Sequence, residues 1–266
     1  MTFNPYTGCD HHCVYCYASS YIPKFHDCRP KKDLISKLRR EAARLKGEII
    51  SISNSSDPYP NLEEKTGLMR KCLEILTQSN CKIQIITKSS LVVRDADLLR
   101  KASSMVALTI TTEDDAAKII EPNAPPPSKR LRAAEELASK GIPVCVRIDP
   151  IIPHVNENCE NLIRTLAQIG VKHITASTYK VKPDNWKRFS AAMPKIAERL
   201  EPLYFEQGEK IGGYILLPKE LRLKLMKTLS ATAEKYNIKF ATCREGLSYL
   251  NTAACDGSWM LSMLPM

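Results

Sequence analysis

Three cysteines fall within eight residues, as Cys9-x3-Cys13-x2-Cys16 in the stretch NPYTGCDHHCVYCYA. A tight loop with this spacing can aim three thiolates at three irons of a cubane cluster and leave the fourth iron without a protein ligand. An open metal position is where a substrate or cofactor coordinates, by the logic that separates catalytic from structural zinc sites. Zinc is the alternative, since His11 and His12 lie between the cysteines and would complete a tetrahedral set. Zinc motifs more often pair two short knuckles across a longer loop, however, and no second C-x2-C follows.

The elements that must carry this loop are legible as alternating apolar runs and helical stretches. Strand candidates are Thr2–Tyr6, Glu48–Ser53, Lys82–Thr87, Met105–Thr111, Pro143–Asp149 and Val171–Ser177, nearly continuous in apolar content as parallel strands covered on both faces are. Between them, Lys31–Lys46, Glu63–Gln78, Leu91–Ser103, Pro127–Lys140 and Glu157–Ile169 repeat apolar residues at helical spacing. Gly141 and Gly170 stand at helix stops, and Asp33 and Asn61 are candidate starting caps. Two further helices, near Asp184–Leu200 and Lys219–Tyr236, precede a last short strand at Ile238–Thr242.

Six strand–helix units predict an α/β fold, an open partial (β/α)6 barrel rather than the closed eightfold one, with a doubly wound sheet sharing the same alternation. We expect the barrel over residues 1–200 and a C-terminal extension of helix, short strand and Cys-containing tail over 201–266. In either architecture the active groups belong at the carboxyl ends of the strands.

Composition bounds the rest. The chain has 266 residues, 44% apolar and 26% charged, with 10 glycines and 17 prolines, which excludes collagen-like, mucin-like and disordered classes. No stretch approaches the roughly 20 apolar residues that span a bilayer, and no charged segment leads into an apolar run at the start, so a cytoplasmic protein with no membrane partner is expected. The first strand begins so near residue 1 that an N-terminal segment is expected to be missing. Ten cysteines clustered as above, rather than spread as a secreted disulfide framework, agree with a reducing compartment. Lysine and arginine exceed aspartate and glutamate by 39 − 29 = 10, which favours polyanionic partners.

The Cys9, Cys13, Cys16 spacing, with Tyr15 before the third cysteine, resembles the radical SAM superfamily. More closely the chain is similar to the spore photoproduct lyase-like group, often labelled DNA repair photolyases. The resemblance is carried by NPYTGCDHHCVYCYA, SNSSDPY (53–59), ITKSSLVVRD (86–95), TITTEDD (109–115), EPNAPPPSKRL (121–131), DPIIPHVNE (149–157), and CREGL with CDG in 243–257.

That resemblance implies a [4Fe-4S] cluster held by Cys9, Cys13 and Cys16, with S-adenosylmethionine (SAM) on the open iron and reductive cleavage to a 5′-deoxyadenosyl radical. It places Tyr15, Ser56, Asp57, Lys88, Thr109, Thr111, Asp149 and Ser177 against SAM, with the Lys88 ammonium suited to the SAM carboxylate. Arg130 matches the EP…R stretch but reads as a surface group at a helix start, outside the site. One departure is chemical: the related lyases have a hydrogen-donating cysteine two residues before the serine, and here that position is Asn54. Tyr17 matches a tyrosine on the lyase hydrogen-transfer route. Cys243 and Cys255 are expected over the barrel mouth as hydrogen donors, as holders of an auxiliary Fe-S cluster with Cys28, or as ordinary reduced thiols. Cys72, Cys81, Cys145 and Cys159 sit on helix or strand patterns as packing residues.

Basic residues gather at Lys31–Lys46, around Lys180, Lys182, Lys187 and Arg188, and along Lys219–Lys227. The expected substrate is a nucleic acid, its backbone tracked by one such group while a base enters the pocket. The alternatives are a radical SAM enzyme acting on a protein, peptide or small metabolite, and a noncatalytic Fe-S or zinc binding module. An electron donor such as flavodoxin or ferredoxin is the expected redox partner.

Overall fold

The computed structural model describes residues 1–53 and 55–263; Asn54 lies outside the described residues. One sheet runs in chain order through β1 (Thr2–Phe3), β2 (Glu48–Ile52), β3 (Cys81–Thr87), β4 (Ser104–Thr109), β5 (Val144–Ile151), β6 (His173–Thr178) and β7 (Lys239–Thr242). Every neighbouring pair is parallel. The crossovers carry α1 (Leu34–Ala42), α2 (Leu68–Leu76), α3 (Asp114–Ile120), α4 (Pro127–Ser139), α5 (Glu160–Ile169), α6 (Pro183–Ala192), α7 (Pro194–Phe205) and α8 (Lys219–Lys235). This is the open α/β barrel expected, lengthened by one strand: the segment at Ile238–Thr242 joins the same sheet, with Lys239 opposite His173.

Alternation along each strand separates two faces. Ile50, Ile52, Ile83, Ile85, Val106, Leu108, Val146 and Ile148 point outward into one core with Leu73, Leu76, Leu137, Leu166 and Leu229 of the helices. The inner face is built in register-matched rows: Ser51 opposite Gln84 and Gln84 opposite Met105, then Thr109 opposite Arg147 and Arg147 opposite Thr175. Polar rows lie toward the carboxyl ends, and Met105, Ala107 and Cys145 form an apolar floor covered by Met260 and Leu261.

That cover comes from the tail after β7, which has no periodic signal in sequence. Gln84 Nε2 donates to the Asp256 carbonyl (2.8 Å), Thr175 Oγ1 to the Cys255 carbonyl (2.8 Å), and Trp259 Nε1 to His173 Nδ1 (3.1 Å). Gly257 turns at φ 74° so close to the floor that a Cβ would meet Met105 and Cys145 at 3.2 and 3.3 Å. The tail closes the amino-terminal end of the inner face and leaves the carboxyl end open.

Several helix boundaries differ from expectation for local reasons. Gly67, left-handed at φ 57°, divides the 63–78 helix into Glu63–Thr66 and α2. Proline opens both α6 and α7, so the single helix expected over Asp184–Leu200 is two. The segment at Leu91–Ser103 is a 3₁₀ turn, Ser90–Asp95, followed by one helical turn, Ala96–Leu99. Asp33 has φ 57° and makes no capping bond, and Asn61 gives its side-chain amide to the Asn123 carbonyl (3.2 Å) instead. Gly141 and Gly170 do end their helices at positive φ. An unforeseen hairpin, Glu209–Ile211 with Tyr214–Leu216, turns through Gly212 and Gly213, both at positive φ.

Candidate active site

The carboxyl ends of the strands and the cysteine loop enclose a cavity of about 620 Å³. Cys9, Cys13 and Cys16 line it, together with Tyr15, Tyr17, Ser56, Asp57, Lys88, Thr109, Asp149, Cys243 and Cys255. Of the expected residues, Thr111 and Ser177 stand one layer behind the wall. Thr111 Oγ1 donates to Glu121 (2.9 Å) and Ser177 Oγ to Asp149 (2.5 Å).

The loop is held from both sides. The Cys9 amide donates to the Phe25 carbonyl (2.8 Å), where Gly8 at φ 80° passes so close that a Cβ would collide with Phe25. The Val14 amide donates to the Ile120 carbonyl (2.9 Å), and Asp10 accepts from the Asn61 and Leu62 amides (3.1 and 3.2 Å). Backbone amides of His11 and Asp57 face the Cys9 sulfur, and those of Ala18 and Ser19 face Cys16.

Burial pushes all three thiols up, Cys13 to about 12, so a cationic centre must supply what the protein does not if they are to be thiolates. Three sulfurs on one loop with N–H donors already aimed at two of them suit ligation of an iron–sulfur cluster. His11 is buried at the same wall, Nδ1 3.6 Å from Asp57, and its Nε2 has no hydrogen-bond partner among the described residues. His12 lies outside the cavity, exposed and stacked on His26 at 4.5 Å, so it does not complete a zinc set. Among the described residues no three His, Cys, Asp or Glu side chains converge as a single-ion site.

Asp57 works as a strut. Its Oδ1 accepts from the Tyr59 amide (2.9 Å) and Thr87 Oγ1 (2.5 Å), and its Oδ2 from the Lys88 amide (2.7 Å), tying the loop after β2 to the end of β3. Ser56 Oγ donates to the Tyr6 carbonyl (3.0 Å). Lys88 projects into the cavity with its Nζ 5.5 Å over the Tyr15 ring and 4.0 Å from Glu121.

Glu121 was not singled out in sequence, yet it organises this wall. Fully buried, it accepts from Tyr15 Oη and Thr111 Oγ1 and pairs with Arg130 Nη2 at 2.6 Å. Burial opposes its charge, but Arg130 and then Lys88 outweigh burial and hold the carboxyl below its usual range. Arg130, expected at the surface, is 0% exposed and also donates to the Thr109 and Pro125 carbonyls (3.1 and 2.6 Å). A helix-start position says nothing about depth when the preceding proline run turns that helix end inward.

The opposite wall carries a second ion pair, Arg147 with Asp149 at 2.6 Å. Burial would raise the Asp149 carboxyl, but Arg147, Lys180 and Ser177 bring it down to about 2. Lys180 also reaches Glu245 (3.4 Å), whose carboxylate accepts from the Thr178 amide (2.7 Å). Cys28 does not line the cavity; its thiol faces the Gly8 carbonyl at 3.7 Å, apart from Cys243 and Cys255. No helix among the described residues is long and apolar enough to cross a membrane.

Comparison with known proteins agrees with this geometry. The family model described as Radical SAM superfamily matches residues 3–166. The chain is 28% identical over 256 residues to the uncharacterized protein ORF301 of Acidianus two-tailed virus, covering 87% of this chain and 78% of that one. It is 25% identical over 261 residues to the uncharacterized protein Rv2578c of Mycobacterium tuberculosis, covering 89% and 74%. Among solved structures, spore photoproduct lyase with bound AdoMet and dinucleoside spore photoproduct superposes with a TM-score of 0.73 at 19% identity, covering 91% of this chain and 75% of that one. SuiB of Streptococcus suis, bound to S-adenosylmethionine, gives 0.61 at 14% identity, covering 97% and 53%. These likenesses show the fold, and the family match adds the chemistry that a three-cysteine loop at the mouth of this barrel serves: the chain belongs to the radical SAM superfamily and is a radical SAM enzyme, with a [4Fe-4S] cluster and SAM as its cofactors.

Proposed function

We propose that this enzyme acts on a nucleic acid, DNA or RNA, in the cytoplasm, and that it takes its electron from a flavodoxin- or ferredoxin-type donor. Bound together, the cluster and SAM supply a 5′-deoxyadenosyl radical that abstracts hydrogen. Cys9, Cys13 and Cys16 hold the cluster. Lys88 holds the SAM carboxylate, with Tyr15, Ser56, Thr109 and Asp149 around it; Asp57, Thr111 and Ser177 position these groups from behind. A barrel over residues 1–200, completed by the 201–266 segment that supplies β7 and the tail, carries the whole site.

The observation that carries the substrate reading is the rim. Tyr17 packs edge-on against Tyr214 of the hairpin, with ring centroids 5.5 Å apart, and Lys182 Nζ lies 4.6 Å over the Tyr214 ring. Tyr21 beside Tyr17 is 52% exposed, and the exposed Arg244 lines the cavity. Aromatic faces interleaved with cations stack bases and neutralise phosphates, which is how single strands are bound without sequence preference. A fold neighbour holding a dinucleoside supports the same reading.

Fluorescence anisotropy with single-stranded DNA and RNA oligonucleotides tests it. Binding should weaken steeply with salt, and Lys182→Ala and Arg244→Ala should reduce both affinity and salt slope. Binding that is absent, or indifferent to salt and to both substitutions, overturns the nucleic-acid reading and leaves a peptide or metabolite substrate.

A further inference from the structure

Two thiols outside the cysteine loop face the same cavity. Cys243 follows β7 and its amide donates to the Ala176 carbonyl (2.9 Å), while the Cys255 carbonyl accepts from Thr175 Oγ1 (2.8 Å). Adjacent residues of β6 therefore anchor two cysteines twelve positions apart in sequence, and both residues line the cavity. The guanidinium of Arg147, held on Asp149, also faces Cys243. Cys255 is exposed and lines the cavity from the tail, and partial burial with Cys243 beside it pushes its thiol up.

We propose that Cys255, with Cys243 as its neighbour, returns hydrogen atoms to carbon radicals formed in this cavity. An S–H bond is weaker than an aliphatic C–H bond, so the transfer runs downhill. A C–H bond forms, the Cys255 S–H bond breaks, and the unpaired electron moves to sulfur. Cys243 can pass its own hydrogen to that thiyl, moving the vacancy next to Arg147. One electron from the external one-electron reductant that feeds the enzyme, and one proton from water, then restore the thiol. Among the described residues no other thiol outside the cysteine loop lines this cavity: Cys145 is sealed in the floor at 0% exposure, and Cys28 lies outside the cavity. The inference rests on the radical chemistry of the site and is independent of whether the substrate is a nucleic acid.

The cluster-loaded protein, given SAM and dithionite in D₂O without substrate, tests this by the isotope content of the 5′-deoxyadenosine it forms. Thiols exchange with solvent and carbon-bound hydrogens do not, so a radical quenched by Cys255 gives singly deuterated product. Wild type should give that species; Cys255→Ala and Cys255→Ser should lower the deuterated fraction to background, and Cys243→Ala should lower it partly. In parallel, dibromobimane on the same loaded protein should bridge the peptides containing Cys243 and Cys255 in a mass map. Deuteration that persists in both Cys255 variants, wild-type product free of deuterium, or no such bridge overturns the proposal. Wild type that forms no 5′-deoxyadenosine at all overturns the radical reading of the cavity and takes this inference with it.

Discussion

Glu121 and Arg130 form a carboxylate–guanidinium pair 2.6 Å apart, both side chains 0% exposed, behind the wall that carries Tyr15 and Lys88. Removing one member of such a pair leaves an uncompensated charge in the interior, which costs about 3–5 kcal/mol. Arg130→Met and Glu121→Leu should each lower the unfolding free energy from urea titration by that order, and the double variant should recover part of the loss. If the single variants unfold like wild type, the pair does not organise this wall.

The role proposed for Lys88 is to hold the SAM carboxylate, and Asp57 fixes its backbone through the 2.7 Å bond to the Lys88 amide. Losing a charge-assisted contact of about 1.5–3 kcal/mol predicts a rise of roughly tenfold or more in the SAM dissociation constant of Lys88→Ala. Asp57→Asn should weaken SAM binding in the same direction, since an amide cannot accept all three donors now on that carboxylate. Isothermal titration of the cluster-loaded variants checks both, and an unchanged constant for Lys88→Ala removes it from the site.

His173, buried under the tail, should make folding sensitive to acid. Burial holds its imidazole down to about 4, from an ordinary 6.5. The unfolded chain therefore takes a proton below pH 6.5 that the folded chain refuses until about pH 4. Stability from this group is complete above pH 6.5 and is lost as pH falls toward 4, by up to about 3 kcal/mol at 1.36 kcal/mol per unit. His173→Gln should flatten the slope of stability against pH across that window in chemical denaturation. An identical slope would show that His173 is not the group responsible.

The parts of this molecule that repeat were readable and the parts that meet only in three dimensions were not. Parallel strands buried on both faces announce themselves as continuous apolar runs, so β2 to β6 fell close to their expected places, and their carboxyl ends collected most of the expected residues at one cavity. Thr111 and Ser177 sit one layer back because their hydroxyls are taken by the buried carboxylates Glu121 and Asp149, partners that strand period does not indicate. Arg130 and Glu121 are nine positions apart, across a proline run, and nothing local indicates that they pair. The tail from Asn251 has neither helical nor strand period, and its anchoring depends on Gln84, Thr175 and His173 being turned inward.

Cys9, Cys13 and Cys16 should act as one unit, because a cluster held by two thiolates is released. Each single change to alanine should lower bound iron and sulfide after anaerobic reconstitution and abolish SAM cleavage. Cys72→Ala, on a packed helix position, should keep the full iron content. Full iron in a Cys13→Ala protein would contradict the ligand set.

The formation of 5′-deoxyadenosine and methionine by the anaerobically reconstituted, dithionite-reduced chain supplied with SAM is the most direct measurement of all. Equimolar appearance of both products, lost in Cys13→Ala, is the result expected of a three-cysteine cluster with one open iron at the mouth of this barrel. A reconstituted wild-type chain that binds four irons and yet leaves SAM intact under reduction would contradict it.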